Sequence, residues 1–205
     1  MALVLVVVAL LLTPGGTAPR TLWWVALCAG AAGALPVMAS VVGARSDGAV
    51  DNASGVAAVL TAAALVGHHV PCGVLLPGAE ELGLAGARAW AAGHDTGTAL
   101  NCDGVDDEGT LVIMYNQRAP HHVVAAIGAA APARMRPRVR RMPLGLLTDS
   151  TALAEAGWQA VTVSHGSLGT LGRVHTSRDS LAALRGTAID AVAGILARAA
   201  EALAT

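Results

Sequence analysis

The chain has 205 residues with 13 basic and 14 acidic side chains, a net charge of −1, 54% hydrophobic residues and 13% charged ones. That length suits one ordinary domain with at most a small appendage. The apolar content excludes disorder and leans towards membrane contact, and the balanced charge gives no global case for a nucleic-acid partner. All the basic residues are arginine, and lysine and phenylalanine are absent; with so much Ala, Gly and Val this reads as coding bias of a GC-rich genome.

The N-terminal stretch differs in character from the rest. Residues 2–12 are almost purely aliphatic, Thr13-Pro14-Gly15-Gly16 interrupts them, and residues 21–44 are apolar again without a charge between Arg20 and Arg45. About 20 apolar residues cross a bilayer, and Trp23-Trp24 suits the interface with water. Residues 21–44 are therefore expected to form a transmembrane helix, with 2–12 as part of a preceding helix in a membrane hairpin. A buried core helix is the alternative. The run 2–12 is too short to cross alone and lacks the basic flank and cleavage site of a signal peptide. One arginine on each side leaves the orientation open. The implied partner is membrane lipid through residues 21–44, and the implied location is a bacterial cell membrane.

From residue 45 onward helix and strand patterns alternate. Residues 52–67 read as a helix opening on the cap-type residues Asn52 and Ser54. Cys72–Pro77 reads as a short apolar strand, Leu82–Ala92 as a helix, and Thr98–Cys102 and Thr110–Tyr115 as strands around an acidic turn at 103–109. Helix follows over Pro120–Ala131. The arginines at 134, 136, 138, 140 and 141 alternate as on a solvated edge strand, or as a contact for anionic lipid headgroups. A short helix at 150–157 and a strand at Gln159–Ser164 precede a helix from Ser180 to the end. There Leu181, Leu184, Ala188, Val192, Ile195, Ala199 and Leu203 mark a core-facing stripe. The alternation predicts an α/β fold, a three-layer domain with a mixed, largely parallel sheet over residues 45–205, with residues 1–44 as a membrane segment or partial hairpin. Cys28, Cys72 and Cys102 have no paired spacing, and Cys72 and Cys102 are expected to be buried small side chains.

Carboxylates are scarce in this chain, and several stand in Gly-rich turns at strand ends. Asp51 lies in Gly48-Ala49-Val50-Asp51-Asn52-Ala53-Ser54-Gly55, and Glu80-Glu81 in Gly78-Ala79-Glu80-Glu81-Leu82-Gly83-Leu84. Asp103 follows another strand, and His175 lies in a late loop. In α/β sheets, ligands gather at the carboxyl ends of strands. Such a group points either to a divalent metal or to acid–base chemistry without one. Adjacent glutamates can split roles, one as ligand and its neighbour as base. His68-His69 and His121-His122 read as helix-end residues, His165 could line a pocket, and Asp179 either orients a ligand or, as the first reading, caps the last helix.

Residues 48–60, 75–92, 100–103 and 148–180 resemble the zinc-dependent aminopeptidases of peptidase family M28. Gly48–Gly55 matches the family's Gly-Ala-x-Asp-Asn-x-Ser-Gly element, Pro77–Arg88 its acidic-pair element, and Asn101-Cys102-Asp103 its Asn-x-Asp element. Thr148-Asp149 with Ala156-Gly157 resembles the approach to the last motif, and Val174–Asp179 that motif itself. The resemblance implies a co-catalytic di-zinc hydrolase acting on peptides. Residue by residue, it makes Asp51 the bridging ligand, Glu80 the general base, Glu81 and His175 ligands of the second metal, and Asp103 a ligand of the first. The family also carries a His-x-Asp motif upstream, with the first metal's histidine. Here no histidine precedes His68, and the nearest imitation, Arg45-Ser46-Asp47, offers an arginine, which is always protonated and does not ligate zinc. Two expectations follow: either the chain is the C-terminal portion of a longer protein whose motif lies before a membrane hairpin, incomplete at its N-terminal side with a sheet edge exposed, or one metal position has been lost. The function expected is that of a membrane-associated zinc aminopeptidase. The alternatives are a catalytically impaired binding domain and glutaminyl cyclisation on the same fold.

Overall fold

The computed structural model describes residues 46–204 and, ahead of them, residues 23–25, 27, 28, 30, 31 and 33. The chain divides into two units, Met1–Arg45 and Ser46–Thr205. The described residues of the first unit are helical. The run 2–12 and the remainder of the expected transmembrane segment 21–44 lie outside the described residues. Among the described residues no helix is long and apolar enough to cross a membrane.

The second unit is built on one four-stranded sheet. Strands β1 (Thr98–Val105), β2 (Thr110–Tyr115), β3 (Arg138–Arg141) and β4 (Gln159–Gly166) lie in the order β1-β4-β2-β3. β1 runs parallel to β4 and β2 parallel to β3, while β2 and β4 are antiparallel. The helices are α1 (Gly55–Leu65), α2 (Ala85–Ala91), α3 (His121–Ala130), α4 (Asp149–Glu155), α5 (Leu168–Leu171) and α6 (Thr187–Leu203).

Strand alternation assigns the layers. Val161 and Val163 of β4 enter the main core with Ala58 and Ala62 of α1, Val123 and Ile127 of α3, and Val192 and Ile195 of α6. Ala160, on the opposite face of β4, packs with Ala91 of α2 and Leu153 of α4. Ala160, Val161, Thr162 and Val163 of β4 are all buried, as befits a strand covered on both faces. The result is the expected three layers. On α6 the stripe Ala188, Val192, Ile195 and Ala199 is buried, and each fully buried Val or Ile contributes about 1.5–3 kcal/mol. Leu181 departs from that stripe at 74% exposure, because a short 3₁₀ turn and left-handed Gly186 separate it from α6.

Two other expectations change. Residues 71–77 form no strand: strands exist only as pairs, this segment has no pairing partner among the described residues, and Val74 and Leu76 stand 44% and 53% exposed. Cys72, within this segment, is exposed rather than buried, while Cys102 is buried as expected. The arginines of β3 do form an edge strand and are exposed.

Asp107, from the β1–β2 turn, caps α6. Its carboxylate accepts from the backbone N–H groups of Arg185, Gly186 and Ala188 and from Thr187 Oγ1. Partial burial would raise its pKa, but the hydrogen bonds from Thr187, Arg185, Ala188 and Gly186 outweigh this and hold it well below the usual carboxylate range. Asp107→Ala is expected to lower stability by about 1–2 kcal/mol, read in urea melts near neutral pH. The wild-type contribution should be present above the ordinary carboxylate pKa and disappear as pH falls below it. An Asp107→Ala variant as stable as wild type would remove this cap from the account.

Candidate metal centre

Three loops and one strand end carry the acidic cluster. The first loop, Gly48–Ser54, is stitched to the end of β1. Asn52 Oδ1 accepts from Gly55 N (3.1 Å) and Gly104 N (3.2 Å), and its Nδ2 donates to the Cys102 carbonyl (3.0 Å). Asn52 thus receives the first amide of α1, while Ser54, at the N-cap position of that helix, makes no capping bond with its side chain. Ser54 does something else: its Oγ donates to the Val50 carbonyl (2.7 Å) and accepts from Val105 N (2.8 Å). Only glycine fits at 55, where a Cβ would meet Asn52 Oδ1 at 2.1 Å and the Cys102 carbonyl oxygen at 2.5 Å. These contacts hold Asp51 in a fixed relation to Asp103 on β1.

The second loop presents Glu80 and Glu81. Ala79 and Leu84 both adopt left-handed backbone, at φ 58° and 62°, and the turn closes through Leu84 N to the Glu80 carbonyl (2.8 Å) and Ala85 N to the Ala79 carbonyl (3.1 Å). The expected helix from Leu82 therefore starts only at Ala85. The third loop carries His175, whose φ of 61° is unusual for a side chain with a Cβ and marks a conformation held by its surroundings.

Asp179 ties the third loop to the first. Fully buried, it accepts from Val50 N through Oδ1 (2.6 Å) and from Asp51 N through Oδ2 (3.2 Å). It does not cap the last helix, since Asp107 does. Asp179→Asn turns one accepting oxygen into a donor facing an N–H, and is expected to cost about 1–3 kcal/mol in denaturant melts. Unchanged stability would contradict this role.

These loops bring Asp51, Glu81 and His175 together. His175 Nε2 stands 2.9 Å from Asp51 Oδ2 and 2.7 Å from Glu81 Oε1, and one donor atom from each of the three lies within 4.8 Å of the others. Two carboxylates and an imidazole with an open side form the kind of donor set that catalytic zinc sites use. Glu80 stands close enough to raise the pKa of Asp103, and both fall outside this triad. Burial, then the charges of Glu81, Asp149 and Asp51, pushes Glu80 up to about 7. Burial, then Asp51, Glu80, Asp149 and Glu81, pushes Asp103 up to about 7. Asp51 is raised too, chiefly by burial and against the opposing pull of His175.

Asp149 is a member of the cluster that motif reading left without a role. A hydroxyl triangle of Thr148, Ser150 and Thr162, with Oγ separations of 2.7–3.0 Å, holds the start of α4. It leaves Asp149 Oδ1 buried without a hydrogen-bond partner. An uncompensated group of carboxylates around one histidine is the electrostatic signature of a cation site. The residues present fit one ion at Asp51, Glu81 and His175. Among the described residues no histidine joins Asp51 and Asp103 in a second such group. His165 is buried, its Nδ1 2.6 Å from the Asp106 carbonyl oxygen.

The model of peptidase family M28 matches residues 35–200. The chain belongs to peptidase family M28. Among solved structures, this M28 chain is similar to an aminopeptidase from Aneurinibacillus sp. strain AM-1, with 24% identity and a TM-score of 0.60, over 79% of this chain and 41% of that one. It is also similar to the LapA aminopeptidase of Legionella pneumophila, with 17% identity and a TM-score of 0.61, over 80% of this chain and 48% of that one. These likenesses support the fold, and the M28 chain spans less than half the length of either structure. No curated protein matches it.

Proposed function

We propose that this chain carries the catalytic site of a membrane-attached zinc aminopeptidase, which adds water across the first peptide bond and releases an N-terminal residue. The observation that supports it most is the meeting of Asp51, Glu81 and His175 beside Glu80. A divalent ion bound by those three residues supplies Lewis acidity, polarising the scissile carbonyl and making water more acidic. Glu80, raised towards neutrality, takes the proton of the attacking water and delivers it to the leaving amine. The surrounding carboxylates suit the positive α-ammonium of a peptide N-terminus. Asp51 and Asp103 are the residues of this chain that would serve a second ion.

The test uses the full chain, purified in mild detergent with zinc, on aminoacyl substrates with free or acetylated N-termini. Chelator-sensitive release from the free amines alone is expected. No release from either, with zinc bound, would sink the peptidase reading. One observation favours a second reading: among the described residues the donor set is complete at one position only. A domain that binds metal and peptide without turnover, or one that cyclises N-terminal glutamine with loss of ammonia, fits a single ion. A glutaminyl peptide in the substrate panel separates these outcomes.

Attachment to a bacterial cell membrane through residues 21–44 rests on the charge-free stretch between Arg20 and Arg45. The chain should stay in the membrane pellet after alkaline carbonate and dissolve only with detergent. Release by carbonate would refute the anchor.

A further inference from the structure

The loop that carries His175 is gripped at a point the proposed chemistry does not use. Asp106, three residues beyond Asp103, has its side chain only 3% exposed. Its Oδ2 accepts from Thr170 Oγ1 at 2.5 Å and from Arg173 Nη2. Its backbone N donates to the His165 carbonyl (2.7 Å), and its own carbonyl oxygen is 2.6 Å from His165 Nδ1. Asp106 therefore joins the ends of β1 and β4 to the segment 170–173. Thr170 in turn closes a capping box with Ser167 at the start of α5.

Arg173 transmits this grip. Its carbonyl accepts from Thr176 N (3.1 Å) and Thr176 Oγ1 (2.5 Å), closing the turn in which His175 holds its left-handed backbone. The Arg173 guanidinium is largely covered, and its Nε is buried without a partner. Asp106 is its only ion-pair partner among the described residues. Removing that carboxylate leaves a covered cation uncompensated, which favours moving the arginine, and the turn with it, towards water.

We propose that Asp106 and Arg173 are positioning residues for His175: their ion pair sets where the imidazole stands against Asp51 and Glu81, and so how tightly the triad holds a divalent ion. This rests on the metal-site reading above. Neither residue touches the metal position, and His175 needs such a device because it is half-exposed and has a left-handed backbone.

The test is made on the full chain carrying Asp106→Asn, Arg173→Gln, both together, or Arg173→Lys. Cobalt(II), added as the probe, is titrated against a competing chelator while its visible spectrum reports the ligand geometry. Asp106→Asn and Arg173→Gln should each weaken cobalt by about 10- to 100-fold and change its spectrum. The double variant should be little worse than either single one, and Arg173→Lys should recover most of the affinity. In metal-free protein at one fixed pH, the His175 ring resonances should move in both single variants. A merely structural pair would lower the melting temperature and leave the spectrum, the affinity of folded protein and the ring resonances in place, and that outcome overturns the proposal. Arg173 is less deeply buried than Asp106, and Arg173→Gln keeps the test open if Asp106→Asn fails to fold. Wild-type protein that binds no cobalt counts against the metal-site reading, whereas unmoved His175 resonances overturn the positioning role whether or not metal binds.

Discussion

Glu80→Gln should lower kcat for release of an N-terminal residue by about 10²–10⁴-fold while leaving the metal content unchanged. Glutamine keeps the size and shape of the side chain but cannot take a proton. Glu80 lies outside the Asp51–Glu81–His175 triad, so its loss removes no ligand from that position. Burial and neighbouring carboxylates push it up to about 7 in the metal-free protein, and a cation bound nearby lowers it. The wild-type rate should therefore rise with pH along an acid limb at or below about 7, and the variant's residual rate should lack that limb. Glu81→Gln, one residue on, should instead weaken the metal and lose activity with it. Kinetics and metal analysis on the same preparations separate the two glutamates. Activity of Glu80→Gln within tenfold of wild type, or loss of its metal, would take the base role away from Glu80.

Metal-free protein should become less stable as pH rises from about 4 to about 8, and zinc should reverse the loss. Glu80 and Asp103 have ordinary values of 4.5 and 3.8 and are both raised to about 7 in the fold. Below the ordinary values both groups are protonated in the folded and unfolded states, and their contribution is complete. Between those values and about 7 the folded state holds protons that the unfolded chain has released, so stability falls as they leave, and above about 7 the contribution is gone. Both groups have some solvent contact, which screens the effect, so a fall in Tm of roughly 3–10 °C is expected. Asp103→Asn should raise the Tm of metal-free protein at pH 8, change it little at about pH 4, and weaken any binding at the position shared with Asp51. Melting curves at several pH values with chelator, then with zinc, decide it. A flat Tm across this range would mean that the cluster is not held together under strain.

Several elements were legible because their cause is local. Strand β2 appears at the expected bounds, since Leu111-Val112-Ile113-Met114 between polar turns has little alternative. The helix at 121–130 and the buried stripe of α6 follow from periodicity in the same way. Residues 71–77 look no less strand-like, yet no partner strand lies beside them among the described residues, and composition does not carry that information. Leu82–Leu84 are apolar and helix-compatible, yet the turn that presents Glu80 and Glu81 takes Gly83 and Leu84 into left-handed conformations.

The site divides along the same line. Asp51, Glu80, Glu81, Asp103 and His175 were identifiable because their motifs couple each chemical group to a Gly-rich turn, and that coupling is written in consecutive residues. Asp149 and Asp106 carry no such mark. Their roles arise from an orphaned oxygen and from an arginine 67 residues away in the chain. Asp179 looked like a helix cap, because an acid before a helix usually is one, and the cap belongs to Asp107, 80 residues before Thr187 of that helix. Sequence alone determined the family, the order of elements and the residue types available for chemistry. Only the tertiary structure decided that Asp51, Glu81 and His175 converge on one position while Asp103 stands apart, because a donor set is a matter of ångströms across separate loops, and those distances are set by long-range contacts such as Asp179 to Val50 and Asp106 to Arg173.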